Sequence, residues 1–477
     1  MTLQRERSRA TKASTLNTLA NKTAGLLLCA ITALVVCKEW GLAEWTQPLK
    51  WVLTLALVSI FMVKVRLSRK AFIAVAVLIA IALALTDPDW LNIVIRGLET
   101  AAFIGAFFSA LSTLRNVAET SPAIQRAGAF LAGQPPGRRY AALTVGGQAF
   151  ALVLNYGSLQ LLGALATANA KTEPNAEIRG HRMRRMLLAI QRAFISTLPW
   201  SPLSFAMAIT ISVIPGTSWA QALLPGLVST CLLAGIGWAM DTVFKPHLTV
   251  TAVRTKPEGT WTTMLPLAFL LVVLVVGLVS LNWLTQVRIV GIVAVLVPTI
   301  ALVWLLIQHW TDQPLAKAKS RIKVYVLEEL PGYQGELTLL MMAGFIGTTG
   351  AQLFGPIVQA AGFDPSAVPA WMILVSFVWI IPLLGQIGMN PILAVTLIAP
   401  LIPSATELGV APTAIVVAIT AGWALSGASS PFTATTLLIG SFANITAHRV
   451  GLVWNGAYTL VCGCALSLWV VIFAFAF

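Results

Sequence analysis

The chain has 477 residues, enough for several soluble domains, but 57% hydrophobic residues, 10% charged residues and a mean hydropathy of +0.84 exclude that reading. A soluble domain carries roughly a quarter charged residues, so too little polar side chain is present here to cover a water-facing surface. The composition describes a polytopic membrane protein whose solvent is the lipid bilayer. The 31 Lys and Arg against 17 Asp and Glu give +14, but they gather in short stretches between apolar runs, where they set topology rather than bind nucleic acid.

In chain order, a basic tail over 1–21 precedes apolar runs at 22–37, 50–64, 71–86, 91–113, 141–168, 186–214, 217–240, 262–283, 287–308, 335–360, 369–403, 411–441 and 450–477. No Ala-x-Ala site closely follows the first run, so it reads as a retained helix rather than a signal peptide. A simple spanning helix needs about 20 residues. Several runs are longer and carry Gly, Asn or Pro near the middle, which makes them candidates for broken helices or re-entrant hairpins. The tail (Arg5, Arg7, Arg9, Lys12), the loop Lys64 to Lys70, Arg138 with Arg139, the cluster Arg179, Arg182, Arg184 and Arg185, the loop with Lys245, Arg254 and Lys256, and Lys317 to Lys323 all read as cytoplasmic. Loops at Asp87-Pro88-Asp89, Pro215-Gly216-Thr217 and Phe363-Asp364-Pro365 carry no basic residue and read as the outer side. The N-terminus is then cytoplasmic. Cys29, Cys37, Cys231, Cys462 and Cys464 show neither metal-ligand spacing nor a disulfide framework, and His181, His247, His309 and His448 lie in or near loops.

An internal repeat is the most informative feature. One copy runs from Glu99 in ETAAFIGAFFSALSTL through LNYGSLQLLGAL around Asn155 to WSPLSFAMAITIS with Ser201-Pro202. The other runs from Glu336 in ELTLLMMAGFIGTTGAQLFG through MNPILAVTLIAPL around Asn390 to SSPFTATTLLIGS with Ser430-Pro431. Paired landmarks are offset by 237, 235 and 229 residues. Gly, Pro and small residues also recur because they serve helix packing, which is the competing explanation. By the positive-inside count the first copy starts outside and the second inside, so the copies are inverted, as in many secondary transporters.

In 141–168, Asn155, Tyr156, Gly157 and Ser158 separate two apolar arms of about 13 residues, each too short to span. The segment can enter from the cytoplasm, turn and return. The corresponding turn in 369–403 is Gly385-Gln386-Ile387-Gly388-Met389-Asn390-Pro391, entering from outside; Gly permits the open backbone and Pro391 suits the start of a returning half-helix. A tip at this depth needs protein, water or ligand on its backbone groups. Helix N-termini there offer N–H groups to an anion, and exposed carbonyls can hold Na⁺. Asn155 and Asn390 either contact that ligand or cap the turns.

Pro202 and Pro431 release a hydrogen bond of the preceding turn, so 186–214 and 411–441 are expected to break there. Ser430 and Thr433, among Ser426, Gly427, Ser429, Thr435 and Thr436, and Ser201 with Ser204 and Thr197, offer uncharged hydroxyls to an anion or Na⁺, or else bond their own helix. Arg96 and Glu99, three apart, are placed to pair with each other, and Arg115, Glu119 and Arg126 fall in an interfacial connector. No carboxylate lies at a tip or a Ser-Pro break, which disfavours proton antiport through a central acid. A Walker motif, a hydrolase elbow and an HExxH sequence are all absent, so the expectation is a non-enzyme with no cofactor beyond Na⁺ as coupling ion; a resident metal is left open.

The arrangement resembles the ion transporter superfamily, which contains divalent-anion:sodium symporters, citrate and dicarboxylate carriers, TRAP large membrane subunits and arsenite or sodium/proton carriers. The resemblance covers about 91–241 and 333–441 and is one of architecture more than of strict motif. It implies an all-α polytopic fold of two inverted-topology repeats with re-entrant hairpins and discontinuous helices, moving elevator-like past scaffold helices that form a homodimer in a bacterial inner membrane. Domains then read as 1–21 tail, 22–90 scaffold, 91–241 first repeat, 242–332 linking helices and basic loop, 333–441 second repeat and 442–477 C-terminal helix. In the sodium–dicarboxylate branch each tip carries Ser-Asn-Thr, contacting substrate carboxylate and bordering sodium. Here Leu154-Asn155-Tyr156 and Met389-Asn390-Pro391 stand instead, so only Asn155 and Asn390 carry over. The expected function is secondary transport of a small anion, organic or inorganic, coupled to Na⁺ or H⁺, with Asn155, Gly157, Ser158, Ser201, Gly388, Asn390, Ser430 and Thr433 as site residues. A cation/proton antiporter of the same superfamily is the nearest rival, a channel would show non-saturating flux, and a membrane-embedded lipid- or polymer-processing enzyme is the alternative of another class. A TRAP-type arrangement would add accessory transporter subunits.

Overall fold

The computed structural model describes residues 2–42, 44–245, 259–360 and 368–476, and for 2–18, 44, 136, 358 and 359 the backbone alone. The loop Phe363-Asp364-Pro365, His247, Arg254 and Lys256 lie outside the described residues, as do the side chains of Arg5, Arg7, Arg9 and Lys12. Every regular element among the described residues is helical. The chain runs through α1 (Thr2–Glu39), α2 (Gln47–Lys64), α3 (Leu67–Thr86), α4 (Trp90–Glu119), α5 (Pro122–Ala132), α6 (Pro136–Leu154), α7 (Tyr156–Lys171), α8 (Ala176–Thr197), α9 (Phe205–Val213) and α10 (Trp219–Val243). It continues through α11 (Leu265–Thr285), α12 (Ile289–Gln308), α13 (Pro314–Val324), α14 (Leu330–Gly332), α15 (Gln334–Ala360), α16 (Ala370–Gln386), α17 (Pro391–Ile398), α18 (Pro412–Ser429), α19 (Ala434–Ala443) and α20 (Gly456–Ala476). Two stretches, Tyr325–Glu329 and Arg449–Trp454, are wound as π-helix. Ten helical stretches among the described residues are long and apolar enough to cross a membrane, so the protein is an all-α polytopic membrane protein. The helix α1 begins twenty residues ahead of the apolar run at 22–37, and its apolar part is Leu19–Glu39.

The chain divides into two compact units. Unit 1 comprises Met1–Val117 and Leu281–Ile357, and thus α1 to α3, most of α4, and α12 to α15. In it α4 and α15 touch through glycine: a Cβ on Gly97 would lie 2.7 Å from Thr349 Cγ2, and one on Gly344 would lie 2.3 Å from Ile104 Cδ1. Small residues allow such approach where no water is available to drive helices together. The Tyr325 hydroxyl, in the first π-helical stretch, donates to Ser109 O at 2.8 Å and lies 2.6 Å from Ser112 Oγ.

Charge in unit 1 is handled by pairing, as burial in a low-dielectric solvent demands. Arg288 grips Glu39 through two bonds of 3.0 and 2.7 Å. The expected Arg96–Glu99 pair is corrected: Glu99 bonds Lys38 at 2.9 Å and lies 3.5 Å from buried Lys50, whereas Arg96 reaches back to Asp89 at 3.6 Å. Lysines from α1 and α2 outcompete the local partner because Lys50 is 2% exposed and needs an anion nearby. Arg115 lies within α4 and stacks over Tyr333 at 5.5 Å, while Arg126 falls on the separate helix α5.

Unit 2 comprises Ala118–Ser280 and Val358–Phe477. Its helices occur in two matching series. In the first, α6 ends and α7 begins at Asn155, and α8 is interrupted over 198–204 before α9. In the second, α16 and α17 are separated by 387–390, and α18 is interrupted over 430–433 before α19. The packing matches as well. α6 packs on α8 as α16 packs on α18, α10 on α8 as α20 on α18, and α7 on α19 as α17 on α9. The last correspondence is crossed: the second helix of each pair rests on the second half of the other series' interrupted helix. Both interruptions and both turns therefore belong to one packed body.

Candidate functional site

The turn between α16 and α17 is built by local rules. Gly388 N–H donates to Gly385 O at 3.2 Å and Met389 N–H to Leu384 O at 3.1 Å, the bonding of a Schellman end, and Gly388 takes φ +89 where a Cβ would be strained. Asn390 then caps α17, its Oδ1 accepting Ile392 N–H at 2.8 Å, with Pro391 in the first turn. The capping role is thus realised at Asn390.

Asn155 behaves differently. It sits at φ 49, ψ −129, a region costly for any residue with a Cβ, and its side chain makes no capping bond. Its carbonyl accepts the Ser158 hydroxyl at 2.6 Å, Gly157 is buried in the first turn of α7, and Tyr156 packs on Phe194 of α8 with ring centroids 4.8 Å apart. Strain of this kind is stored at functional positions. Asn155→Gly is expected to stabilise the purified chain by about 1 kcal/mol, read as a higher melting temperature, while Asn155→Ala brings no gain because alanine keeps the Cβ.

At the first interruption, Ser201 is tied up locally. Its Oγ accepts Leu203 N–H at 3.1 Å, and Ser204 caps α9 by accepting Met207 N–H at 3.1 Å. The second interruption is held by more side chains. Ser430 Oγ donates to Gly385 O at 2.6 Å, joining the end of α18 to the end of α16. Thr433 Oγ1 donates to Ser430 O at 3.0 Å, Thr436 Oγ1 does so at 2.6 Å, and Thr435 Oγ1 bonds Gly427 O. Phe432 lies over Gly388, 3.7 Å from where its Cβ would be. The structure therefore brings Gly388, Asn390, Ser430 and Thr433 into one cluster. Asn155, Gly157 and Ser158 form a second turn against α8, and Ser201 stays within its own break.

Two polar atoms in the first of these clusters stand out. Ser426 Oγ and Gln386 Oε1 are buried and find no hydrogen-bond partner among the described residues. They flank the contact of α16 with α18: a Cβ on Gly385 would lie 2.6 Å from Ser426 Oγ, and Gln386 Nε2 donates to Ser429 Oγ at 3.3 Å. A buried polar atom left unpaired costs about 1–3 kcal/mol, so two of them at the contact of α16 with α18 mark a place where the fold is not optimised for stability alone.

Behind the second interruption lies a buried polar network that the sequence reading passed over. Gln191 donates to Gly427 O at 3.3 Å and Ala428 O at 3.4 Å, and its Oε1 accepts Asn455 Nδ2 at 2.9 Å. Arg192 donates to Asn455 Oδ1 at 3.2 Å and to the Tyr140 hydroxyl at 3.0 Å, with its guanidinium 4.2 Å from the Tyr458 ring centre. The signal was available: Gln-Arg stands inside the apolar run 186–214.

No protein-family model and no curated protein matches the chain. Solved structures do. The YdaH transporter of Alcanivorax borkumensis, whose topology is described as unusual, aligns with a TM-score of 0.55 over 85% of this chain and 98% of its own, at 15% identity. MtrF of Neisseria gonorrhoeae, presented as illuminating a class of antimetabolite efflux pumps, aligns with a TM-score of 0.53 over 86% of this chain and 96% of its own, at 14% identity. At such identities the likeness is one of fold, and the fold is that of polytopic membrane transporters.

Proposed function

We propose that the chain is a secondary transporter of a small anionic solute, organic and carboxylate-like or inorganic, driven by a gradient of Na⁺ or H⁺. The observation that carries this reading is the pair of unpartnered buried atoms at the contact of α16 with α18, next to the second interruption. Ser426 Oγ can donate to an anion's oxygen, and Gln386 Oε1 can accept from a protonated group or bind a cation beside it. The start of α19 supplies backbone N–H groups close by, the usual partner of an anion. The crossed packing of the two helix series supports two inverted repeats with the α6–α7 and α16–α17 pairs as re-entrant hairpins. An arrangement of this kind would resemble the ion transporter superfamily, and that resemblance is part of the proposal.

On this reading Asn155, Gly157, Ser158 and Ser201 serve one tip and break, and Gly388, Asn390, Ser430 and Thr433 the other. The two repeats, 91–241 and 333–441, move in an elevator-like alternation, and the helices of 22–90 and 242–332 form the scaffold of a homodimer. The membrane is the bacterial inner membrane, with the N-terminus cytoplasmic. The fold shared with MtrF favours one second reading of direction, export rather than uptake.

The test is uptake into proteoliposomes holding only the purified chain, with labelled dicarboxylates, sulfonates and inorganic anions, each with and without Na⁺ and pH gradients. The expected result is saturable, gradient-driven movement of at least one anion by the chain alone, without accessory subunits. Ser426→Ala should cut that uptake about tenfold or more, the worth of one hydrogen bond, yet leave the melting temperature unchanged or raised, because the hydroxyl removed is unpaired. Flux of Na⁺ or H⁺ with no anion movement would instead favour the cation/proton exchanger.

A further inference from the structure

The Arg192 guanidinium is a fixed cation on a side chain only 5% exposed, and no carboxylate reaches it within ion-pair distance among the described residues. Asp241, on the neighbouring helix α10, is engaged by Arg185 through both oxygens, at 2.8 and 2.6 Å. What surrounds Arg192 is neutral. Asn455 Oδ1 accepts at 3.2 Å, the Tyr140 hydroxyl at 3.0 Å and Gly237 O at 3.5 Å, and the Tyr458 ring covers the guanidinium at 4.2 Å. Uncharged oxygens and an aromatic face are what a desolvated monovalent cation is bound by when the protein itself spends no counter-charge on it.

The location is equally specific. Arg192 adjoins Gln191, whose amide holds the Gly427 and Ala428 carbonyls at the end of α18, and Asn455 joins the two side chains. That helix end is negative by its dipole and is where an interrupted helix would ordinarily offer carbonyls to Na⁺. In this chain those carbonyls are already taken: Gly427 by Gln191 and Thr435, Ala428 by Gln191, and Ser430 by Thr433 and Thr436. The positive charge is present, but it is covalently attached.

We propose that Arg192 is a built-in cation: it supplies from within unit 2 the positive charge that cation-coupled carriers import with each solute, so that this chain moves its anion without Na⁺. The proposal rests on the anion-transport reading above and narrows its coupling to H⁺ or to exchange of one anion for another. It also makes Arg192 a residue that sets ion specificity without itself touching solute.

The test uses the full-length purified chain, with Na⁺ as the probe. Melting temperatures are measured across a NaCl series held at constant ionic strength with choline chloride, for wild type, Arg192→Lys and the neutral variants Arg192→Met and Arg192→Gln. Wild type and Arg192→Lys should not respond to Na⁺. The neutral variants should start lower and regain roughly 3–8 °C in a saturable manner as Na⁺ enters the oxygen cage. A wild-type melting temperature that climbs saturably with Na⁺ overturns the proposal, whether or not the neutral variants survive purification. So do neutral variants that fold but ignore Na⁺. In proteoliposomes, wild-type anion uptake should be equal in NaCl and choline chloride, and a tenfold loss in choline would overturn the built-in cation while leaving anion transport standing. If no anion moves in either salt, the transport reading fails and the melting series still decides the role of Arg192.

Discussion

Gly422→Ala will destabilise the chain by about 3 kcal/mol or more, at the upper end of the cost of overpacking a core. A Cβ at this position would lie 2.2 Å from Phe377 O and 3.1 Å from Phe377 C, so the obstacle is the backbone of α16 and not the end of a flexible side chain. To admit one methyl group, α16 and α18 must separate, and with them the contact of Ser430 with Gly385 that joins their ends. The loss should appear as a fall in melting temperature on the order of 5 °C or more, with transport reduced further because the second interruption loses its register. The control is Gly235→Ala on α10, where a new Cβ meets nothing within 4 Å and no destabilisation is expected. Equal losses at the two positions would mean that close approach is not the cause, since alanine has the higher helix propensity at both.

Asn455→Ala is expected to cost a similar amount, about 3–5 kcal/mol, for an electrostatic reason. Asn455 is fully buried and serves three partners: its Oδ1 accepts from Arg192, and its Nδ2 donates to Gln191 Oε1 at 2.9 Å and Val450 O at 3.2 Å. Removing it strands a charged donor and an amide oxygen in a dry interior. Asn455→Asp should be tolerated better, since a carboxylate beside Arg192 returns an acceptor with charge even though the donor to Gln191 is lost. The comparison of the two variants by thermal melting separates loss of the acceptor to Arg192 from loss of the Nδ2 donor. If alanine and aspartate prove equally harmful, the bonds that Nδ2 gives to Gln191 and Val450, lost in both, govern the site rather than the acceptor to Arg192.

These expectations show which features a sequence of this kind carries openly. Composition alone yields the membrane class, because bulk hydropathy is a property of the chain that needs no contacts. The interruptions at 198–204 and 430–433 fall at Ser201-Pro202 and Ser430-Pro431, where proline withholds a backbone donor, although Pro225, Pro298, Pro356 and Pro382 stand inside continuous helices. The turns at Asn155 and at Gly388-Asn390 were legible for the same kind of local reason. The role of each side chain within them was not. Asn155 and Asn390 look alike in sequence, yet one caps a helix and the other holds a strained backbone, a difference set by the φ and ψ that the packing imposes. Arg96 is the cation nearest Glu99 in sequence, whereas the partners of Glu99 come from α1 and α2. Arg192 was passed over since its oxygens arrive from α6, α10 and the segment before α20, up to 263 residues away.

The central claim is that this chain carries an anion through a site at the second interruption. Its most direct test is the initial rate of uptake by the purified chain in proteoliposomes, against concentration of the best anion, for wild type and Ser426→Ala at matched protein density. Wild type should give a hyperbolic curve, and Ser426→Ala should lose tenfold or more in kcat/KM with a melting temperature that is not lowered. A flux that rises linearly without saturation, or a Ser426→Ala curve that overlays wild type, would contradict it.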